Sequence, residues 1–262
     1  MDLRGAVCIV TGSATGVGAA CAEMLAREGS RVVINYTRSE AEARATEGKC
    51  QALGAETLLV KADVSVDSEC RALVARTLEK WQAVHGLVNN AAVTRSADPF
   101  DLESLSMDDF QRVYAVNLVG AYQMIRAVVP SMKRQGCGAV VNVSSNVVFT
   151  GGGTSLAYTA SKGALNALTL AMARVLGPEI RVNAVCPGVI NTRWMRNVLG
   201  EDRFRALEQR FRDSAPMKRI AEPEDVAKAV VWLLGGTDYM TGELMAVDGG
   251  VRLAGGQRPK TG

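Results

Sequence analysis

The sequence has a single histidine, His85, and its six cysteines include no pair in the C-x-x-C spacing. The usual zinc sites are built from several histidines and closely spaced cysteines, so the sequence predicts no metal site. Cysteines that are scattered singly favour reduced thiols over a disulfide framework. We therefore expect a chemistry that uses neither a metal, a disulfide nor histidine.

Long apolar runs are also absent from the sequence. No stretch approaches the roughly 18 apolar residues of a membrane-spanning helix, and the apolar run at 6–10 is too short for a signal peptide. The net charge of +3 lacks the basic bias of a nucleic-acid binder. Because 48% of the 262 residues are hydrophobic, the chain can fill a core and is not disordered. These observations predict a cytoplasmic, soluble protein with neither a membrane nor a nucleic acid as partner.

Proline is scarce, and short β-branched runs alternate with amphipathic stretches along the whole chain. Near-continuous apolar strands joined by helices are typical of a parallel sheet that is covered on both faces. With right-handed crossovers, the pattern predicts an α/β fold: one Rossmann-type, doubly wound domain over 1–254 with a seven-stranded parallel sheet, followed by a flexible tail at 255–262. The predicted strands are 6–10, 31–36, 57–61, 86–88, 139–143, 180–185 and 244–247, and the predicted helices are about 17–28, 39–53, 67–83, 108–134, 157–176, 201–213 and 223–234.

Local sequence signals mark the starts of two predicted helices and one unusual segment. Ser39 followed by Glu42 predicts a capping box, and Pro223 suits a first helical turn. The segment 189–222 reads as strand-free and helix-poor at its ends, and it is too long for an ordinary connection. We predict that it covers the substrate. Its surplus of arginine indicates an acidic or phosphate-bearing substrate, although a solvated charged surface is an equally good interpretation.

The first strand is followed by a glycine-rich loop, Thr11-Gly-Ser-Ala-Thr-Gly-Val-Gly18. Glycines allow the backbone to turn sharply and to approach a pyrophosphate, and the helix that follows offers its free N–H groups to phosphate. The spacing differs from the commoner G-x-G-x-x-G fingerprint, so a plain glycine-rich turn is the alternative. By itself the loop is therefore a modest indication of a dinucleotide site.

Further motifs occur in the order typical of one family. They are Asn89-Asn90-Ala91-Ala92, Asn117, Ser145, Tyr158-x-x-x-Lys162, Pro187-Gly188 and Val247-Asp248-Gly249-Gly250. Together with the glycine-rich loop they make residues 7–250 resemble the classical short-chain dehydrogenase/reductase family, and in particular its 3-oxoacyl-acyl-carrier-protein reductases. The resemblance implies an oxidoreductase (EC 1.1.1.-) that transfers a hydride between a nicotinamide and a carbonyl or secondary alcohol. The alternative is a regulatory protein that keeps the dinucleotide pocket but is catalytically silent.

The candidate catalytic residues centre on Tyr158 and Lys162. Positions four apart share a helix face, and a nearby cation is expected to lower the pKa of Tyr158 toward working pH. Tyr158 can then act as the general acid in reduction and as the base in oxidation. The resemblance implies that Ser145 binds the substrate oxygen, with Ser144 as its rival. It also implies that Asn117 anchors a water linking Lys162 to solvent, unless its amide only satisfies local backbone.

The resemblance further assigns a set of cofactor contacts. NADP(H) is favoured over NAD(H), because the second strand ends without a carboxylate until Glu40 while Arg38 can pair with a 2′-phosphate. An Arg38 that is merely solvent-exposed is the alternative. The contacts are Gly12, Ser13, Thr15, Gly16, Val17, Gly18, Tyr36, Arg38, Ser39, Asp63, Val64, Asn90, Ala91, Tyr158, Lys162, Pro187, Gly188, Ile190 and Thr192.

Partners are implied by the resemblance alone. A homotetramer assembled through the helices at 108–134 and 157–176 is expected. The small-molecule carbonyl or alcohol substrate could be carried as an acyl-carrier-protein thioester, with Lys133, Arg134 and Arg174 as docking charges. Solvated helix faces explain those charges equally well.

Overall fold

The computed structural model describes residues 1–253 and contains one sheet of seven parallel strands in the order β3-β2-β1-β4-β5-β6-β7. This confirms the predicted doubly wound α/β fold. The predicted tail at 255–262 lies outside the described residues. The strands are β1 (Val7–Val10), β2 (Arg31–Tyr36), β3 (Thr57–Lys61), β4 (Gly86–Asn89), β5 (Gly138–Val143), β6 (Ile180–Pro187) and β7 (Leu244–Val247).

Helices cover both faces of the sheet, and the central strands are buried along their whole length as their apolar runs predict. One apolar core joins α1, α2 and α10 to the sheet, and a second lies under α3, α5 and α7. The helices are α1 (Gly16–Arg27), α2 (Glu40–Ala52), α3 (Asp67–Trp81), α4 (Met107–Tyr114), α5 (Ala121–Gln135), α6 (Val147–Thr150), α7 (Leu156–Leu176), α8 (Arg193–Leu199), α9 (Glu201–Ser214) and α10 (Pro223–Val231).

The predicted helix at 108–134 is interrupted by a π-helical segment, Ala115–Gly120, between α4 and α5. A π turn holds one more residue than an α turn, and such turns are frequent at functional sites. The segment packs closely on the loop after β3, since a Cβ on Gly120 would lie 2.8 Å from Val64 Cγ2. An amphipathic pattern does not distinguish the two kinds of turn, so the sequence predicted one continuous helix.

The predicted capping box at the start of α2 is wrong. The Ser39 side chain makes no capping hydrogen bond, and Glu42 instead accepts a hydrogen bond from Arg193 Nη1 at 2.6 Å. Glu42 thus binds a guanidinium that is distant in sequence but near in space, and not the backbone N–H of Ser39 that a capping box would use. Pro223 does occupy the first turn of α10, as predicted.

The segment 189–222 is richer in helix than predicted. It contains α8 and α9, it is closed at its base by a bridge between Ile190 and Ala221, and Phe204 and Phe211 belong to its own apolar cluster. The seven-residue helix α8 has no buried residue. It therefore lacks the apolar stripe by which an amphipathic helix is recognised, and the sequence did not reveal it.

The strand order reverses between β1 and β4, because β2 and β3 continue on one side and β5 to β7 on the other. Loops that leave neighbouring strands in opposite directions open a crevice at the carboxyl edge of the sheet, where ligands of this fold class bind. Within residues 1–253, no helix combines the length and apolarity needed to cross a bilayer.

Candidate active site

The glycine-rich loop lies in this crevice, between β1 and α1. Gly12 and Gly16 adopt φ of +61° and +60°, a region that side chains disfavour. A Cβ on Gly12 would lie only 2.9 Å from Ala91 Cα. The first turn of α1 follows directly and presents N–H groups that have no partner within the helix. Small residues, a close backbone approach and a helix N-terminus fit the diphosphate of a dinucleotide.

Asn35, near the end of β2, holds the glycine-rich loop in place. Its Oδ1 accepts a hydrogen bond from Gly12 N at 3.1 Å, and its Nδ2 donates to Ala62 O at 2.9 Å. The sequence analysis did not single it out, although a lone amide in the apolar strand β2 was a signal. Two predicted cofactor contacts also lie behind the loop rather than in the crevice. The Ser13 hydroxyl donates to Val10 O, and Gly18 packs against Gly12 O.

A single large cavity of about 1320 Å³ runs along the crevice. It brings together most of the residues that the sequence analysis named, although they come from seven separate stretches of the chain. The cofactor candidates that line it are Gly12, Thr15, Gly16, Val17, Tyr36, Arg38, Ser39, Asp63, Val64, Asn90, Ala91, Tyr158, Lys162, Pro187, Gly188, Ile190 and Thr192, together with Ser145. Ser13, Gly18 and Asn117 do not line it.

Tyr158 and Lys162 occupy successive turns of α7. The helix begins after Ser155, whose hydroxyl accepts a hydrogen bond from Tyr158 N at 3.2 Å. Lys162 is buried, and its Nζ lies 5.6 Å from the centre of the Tyr158 ring. The same Nζ donates a hydrogen bond to Val143 O at 2.8 Å. The pair therefore faces one point at the end of β5.

Burial governs the protonation of both side chains. It raises the pKa of Tyr158 to about 12, opposed by a hydrogen bond from Ser145. It lowers the pKa of Lys162 to about 8. The expected lowering of the Tyr158 pKa is thus wrong for this structure. Desolvation raises the pKa of the phenol by more than the Lys162 ammonium, which donates its hydrogen bond to Val143 O, can lower it. At neutral pH the phenol carries its proton and the lysine its charge.

The two neighbouring serines at the end of β5 have different surroundings. Ser145 lines the cavity and opposes the rise of the Tyr158 pKa, and its hydroxyl accepts a hydrogen bond from Val147 N at 3.4 Å. The Ser144 hydroxyl is buried and donates to Lys162 O at 3.4 Å. Of the two hydroxyls, only that of Ser145 influences the pKa of Tyr158, so Ser145 is the serine that an oxygen bound by the phenol would meet.

Asn117, in the π-helical segment, joins two parts of the site. Its Oδ1 accepts from Val93 N at 2.8 Å, and its Nδ2 donates to Val93 O and to Ser161 Oγ, each at 3.0 Å. Ser161 in turn donates to Tyr158 O at 2.7 Å. The Asn117 amide thus fixes the loop after β4 to the catalytic helix. These partners are distant in sequence, so they differ from the local backbone contact that the sequence analysis held open, and the water-anchoring role stays a prediction. Ser161 is a supporting residue that the sequence analysis missed.

An apolar wall lies beside the phenol. The ring of Trp194, on α8, is centred 6.2 Å from the ring of Tyr158 and is tilted by 41°. Leu207 and Phe211 of α9 line the same cavity. The sequence analysis predicted that this segment covers the substrate but named none of these side chains. Their position places the segment over the reactive end of the cavity.

Comparison with known proteins agrees with this geometry. The chain matches a family model described as enoyl-(acyl carrier protein) reductase over residues 12–252. It is 39% identical over 247 residues to a Streptomyces violaceoruber protein assigned as ketoacyl reductase 2 of the granaticin polyketide synthase, with 94% of this chain and 96% of that protein covered. It is 34% identical over 245 residues to the 3-oxoacyl-acyl-carrier-protein reductase FabG of Staphylococcus epidermidis, with 93% and 97% covered.

The fold is shared with solved structures as well. The crystal structure of a levodione reductase superposes with a TM-score of 0.89 at 31% identity and covers 96% of this chain and 99% of that one. A structure from Burkholderia xenovorans assigned as a short-chain dehydrogenase/reductase gives 0.88 at 38% identity, with 95% and 98% covered. The chain therefore belongs to the short-chain dehydrogenase/reductase family, oxidoreductases that act on CH–OH groups.

Proposed function

We propose that this protein is an NADP(H)-dependent carbonyl reductase that interconverts a ketone and a secondary alcohol, with 3-oxoacyl thioesters among its substrates. The observation that carries the proposal is the meeting of the Tyr158 phenol, the Ser145 hydroxyl and the buried Lys162 at the end of a glycine-lined cavity. A nicotinamide bound in this cavity would supply or receive the hydride.

The residues of the chain then handle the proton and the developing charge. In reduction, the carbonyl carbon gains the hydride and Tyr158 donates its phenolic proton to the oxygen. The Ser145 hydroxyl donates a hydrogen bond to that oxygen as negative charge develops there. The Lys162 ammonium favours the phenolate that forms and holds the ribose. Asn117 positions the helix that carries both and is proposed to anchor the water that reprotonates them.

The test of the reaction class is an assay that follows NADPH absorbance. Wild-type protein is mixed with a cyclic diketone, with the acetoacetyl thioester of N-acetylcysteamine, and with simple ketones. Oxidation of NADPH together with formation of the alcohol is the expected result for at least one compound. Binding of NADPH without turnover of any carbonyl, and without oxidation of any alcohol by NADP, would instead support the catalytically silent alternative.

Preference for NADP(H) is proposed to come from Arg38 and Ser39. Arg38 is exposed at the cavity, and no carboxylate of residues 1–253 lies within 4 Å of its guanidinium. The nearest candidate for a ribose hydroxyl, Glu40, is bound by Arg44 at 2.7 Å. A free planar guanidinium pairs well with a phosphate.

Replacement of Arg38 by glutamine is expected to raise the KM for NADPH about tenfold and to leave that for NADH nearly unchanged, because one charge-assisted contact is lost. The measurement is a steady-state titration of both cofactors. Arg27, exposed near the end of α1, gives the control variant Arg27→Gln, which should alter neither constant. Equal effects on both cofactors would contradict the assignment of a 2′-phosphate contact.

The rate of reduction should fall at high pH. The Lys162 pKa of about 8 means that the ammonium is present below that pH and is lost above it. Tyr158, with a pKa of about 12, stays protonated throughout and adds no second break. We expect kcat/KM to be flat from about pH 6 to 8 and then to fall about tenfold per pH unit. In Lys162→Arg, which keeps its charge, this break should vanish; a wild-type profile that is flat to about pH 9.5 would contradict the role of Lys162.

A carrier-bound substrate and a homotetramer complete the proposal. Lys133, Arg134 and Arg174 are exposed on α5 and α7, where they could meet an acidic carrier. Support for assembly through the same helices comes from apolar side chains that remain exposed on them. These are Val119 in the π-helical segment, Tyr122 on α5, and Leu170 and Val175 on α7.

A further inference from the structure

One face of α9 lines the cavity. Leu207, Arg210, Phe211 and Ser214 follow the i, i+3, i+4, i+7 spacing of a single helix face, and all four line the cavity. Arg210 is the only charged residue among them. The helix thus contributes one exposed arginine to an otherwise apolar and hydroxylic part of the cavity lining, which also includes Trp194, the neighbour of Tyr158.

The arginines of α9 differ in pairing and in position. Arg205 lies 3.1 Å from Glu201 and Arg212 lies 2.9 Å from Glu208, whereas Arg203 is exposed and does not line the cavity. Within residues 1–253, no carboxylate lies within 4 Å of Arg210. Arg203 likewise has no carboxylate within 4 Å among residues 1–253, but of the arginines of α9 only Arg210 lines the cavity, so its charge is available to a ligand there.

A second arginine of the same kind lies on α4. Arg112 lines the cavity, and in the described part of the chain it also has no carboxylate partner, whereas nearby Arg95 binds Asp109 at 3.2 Å. Among residues 1–253, the only carboxylate that lines the cavity is that of Asp63, in the loop after β3, and its Oδ1 accepts hydrogen bonds from Ser65. The substrate end of the cavity is therefore electropositive and has no internal counter-charge.

We propose that Arg210, assisted by Arg112, receives an anionic group of the substrate, a carboxylate or a phosphate, while Trp194 and Phe211 contact the apolar part. The proposal rests on the reductase function proposed above and names the substrate class for the same site. An anion at Arg210 gains charge-assisted hydrogen bonds without displacing a carboxylate of the protein. Partial exclusion of water by the apolar wall strengthens that attraction.

The experiment compares probes that share a reacting carbonyl and differ in charge. Acetoacetyl-coenzyme A is paired with the neutral acetoacetyl thioester of N-acetylcysteamine, and levulinate is paired with its methyl ester. Each is assayed with wild type, Arg210→Gln, Arg210→Lys and the control Arg212→Gln, which alters the opposite face of α9. All four probes are also titrated calorimetrically, so that the preference for charge is measured even where a probe does not turn over.

In wild type we expect a lower KM for the charged member of at least one pair. Arg210→Gln should raise that KM about tenfold with little change in kcat, because the contact lies away from the reacting carbon. Arg210→Lys should recover part of the loss, and Arg212→Gln should change nothing. A preference in the thioester pair alone identifies a phosphate of the carrier arm, and one in the levulinate pair alone identifies a carboxylate on the reactant.

Two results would overturn the proposal. One is the absence of any charged-over-neutral preference in both pairs, by KM and by calorimetry. The other is an equal loss for charged and neutral probes in Arg210→Gln, which would mean a general packing role. Failure of the reductase function itself is distinct, because then no probe, charged or neutral, oxidises NADPH.

Discussion

Tyr158→Phe is expected to lower kcat/KM for carbonyl reduction by about a thousandfold, within the range by which general acid catalysis contributes to enzymatic rates. The substitution removes one hydroxyl and nothing else. Within the site, the Ser145 hydroxyl and the Lys162 ammonium remain, but Lys162 donates to Val143 O and its Nζ lies 5.6 Å from the ring centre. The ammonium is thus not placed to take over the role of the phenol.

The fold of Tyr158→Phe should be intact. The aromatic ring still packs beside Trp194, and Ser145 lines the cavity, where water can take the place of the lost hydroxyl. We expect the free energy of unfolding to change by less than about 1.5 kcal/mol, the usual contribution of one hydrogen bond. Denaturant unfolding and NADPH binding, measured beside the kinetics, separate a chemical defect from a structural one.

The matched control is Tyr239→Phe. Tyr239 is fully exposed, so removal of its hydroxyl should leave rate and stability unchanged. If Tyr158→Phe kept more than about a tenth of the wild-type kcat/KM, another group would be the proton donor. In that case the neighbouring hydroxyl of Ser145 would be the next candidate.

Gly18→Ala is expected to weaken cofactor binding at least tenfold and to lower the free energy of unfolding by about 3 kcal/mol, at the upper end of typical overpacking costs. A Cβ at this position would lie 2.5 Å from both Gly12 O and Asn90 Nδ2. The first is backbone, and the second donates hydrogen bonds to Thr11 O and Gly12 O. Relief of the clash must therefore move the glycine-rich loop itself.

Gly48→Ala provides the contrast. Gly48 lies in α2, is exposed, and has no atom within 4 Å of an added Cβ. Alanine there should stabilise the protein by about 0.5–1 kcal/mol through the loss of backbone freedom in the unfolded chain. Calorimetric titration with NADPH and denaturant unfolding of both variants give the comparison. A Gly18→Ala protein that binds NADPH like wild type would show that the loop does not hold the diphosphate.

Much of the fold could be predicted because strands and long helices are recorded in local patterns. The strands at 31–36, 57–61 and 244–247 begin and end where predicted, since a buried parallel strand is a short apolar run with polar ends. The π turns at Ala115–Gly120 and Trp232–Gly236 were missed. Tertiary contacts accompany such turns: Gly120, in the first of them, packs closely against Val64. A contact of this kind is not visible in the local sequence pattern.

Much of the candidate site was also visible in the sequence. Tyr158 and Lys162 are four residues apart on one helix, so their shared face follows from helix geometry. Asn35, Ser161 and Trp194 could not be recognised as parts of the site, because each acts through a residue that another segment brings near. Asn35 holds Gly12 across two strands, and Ser161 is held by Asn117 from another helix.

By itself the sequence determined the parallel sheet and the order of its strands along the chain, since periodicity carries that information, while the Tyr158–Lys162 pair was identified through its resemblance to a family motif. Only the tertiary structure decided which charged side chains are paired and in which direction the pKa values of the site residues shift. It paired Glu42 with Arg193, placed Arg210 at the cavity with no carboxylate of residues 1–253 within 4 Å, and shielded Tyr158 and Lys162 from water so that their pKa values move in opposite directions. The reason is physical: electrostatic energies depend on distance and on exclusion of water, and both are set by which segments meet in space.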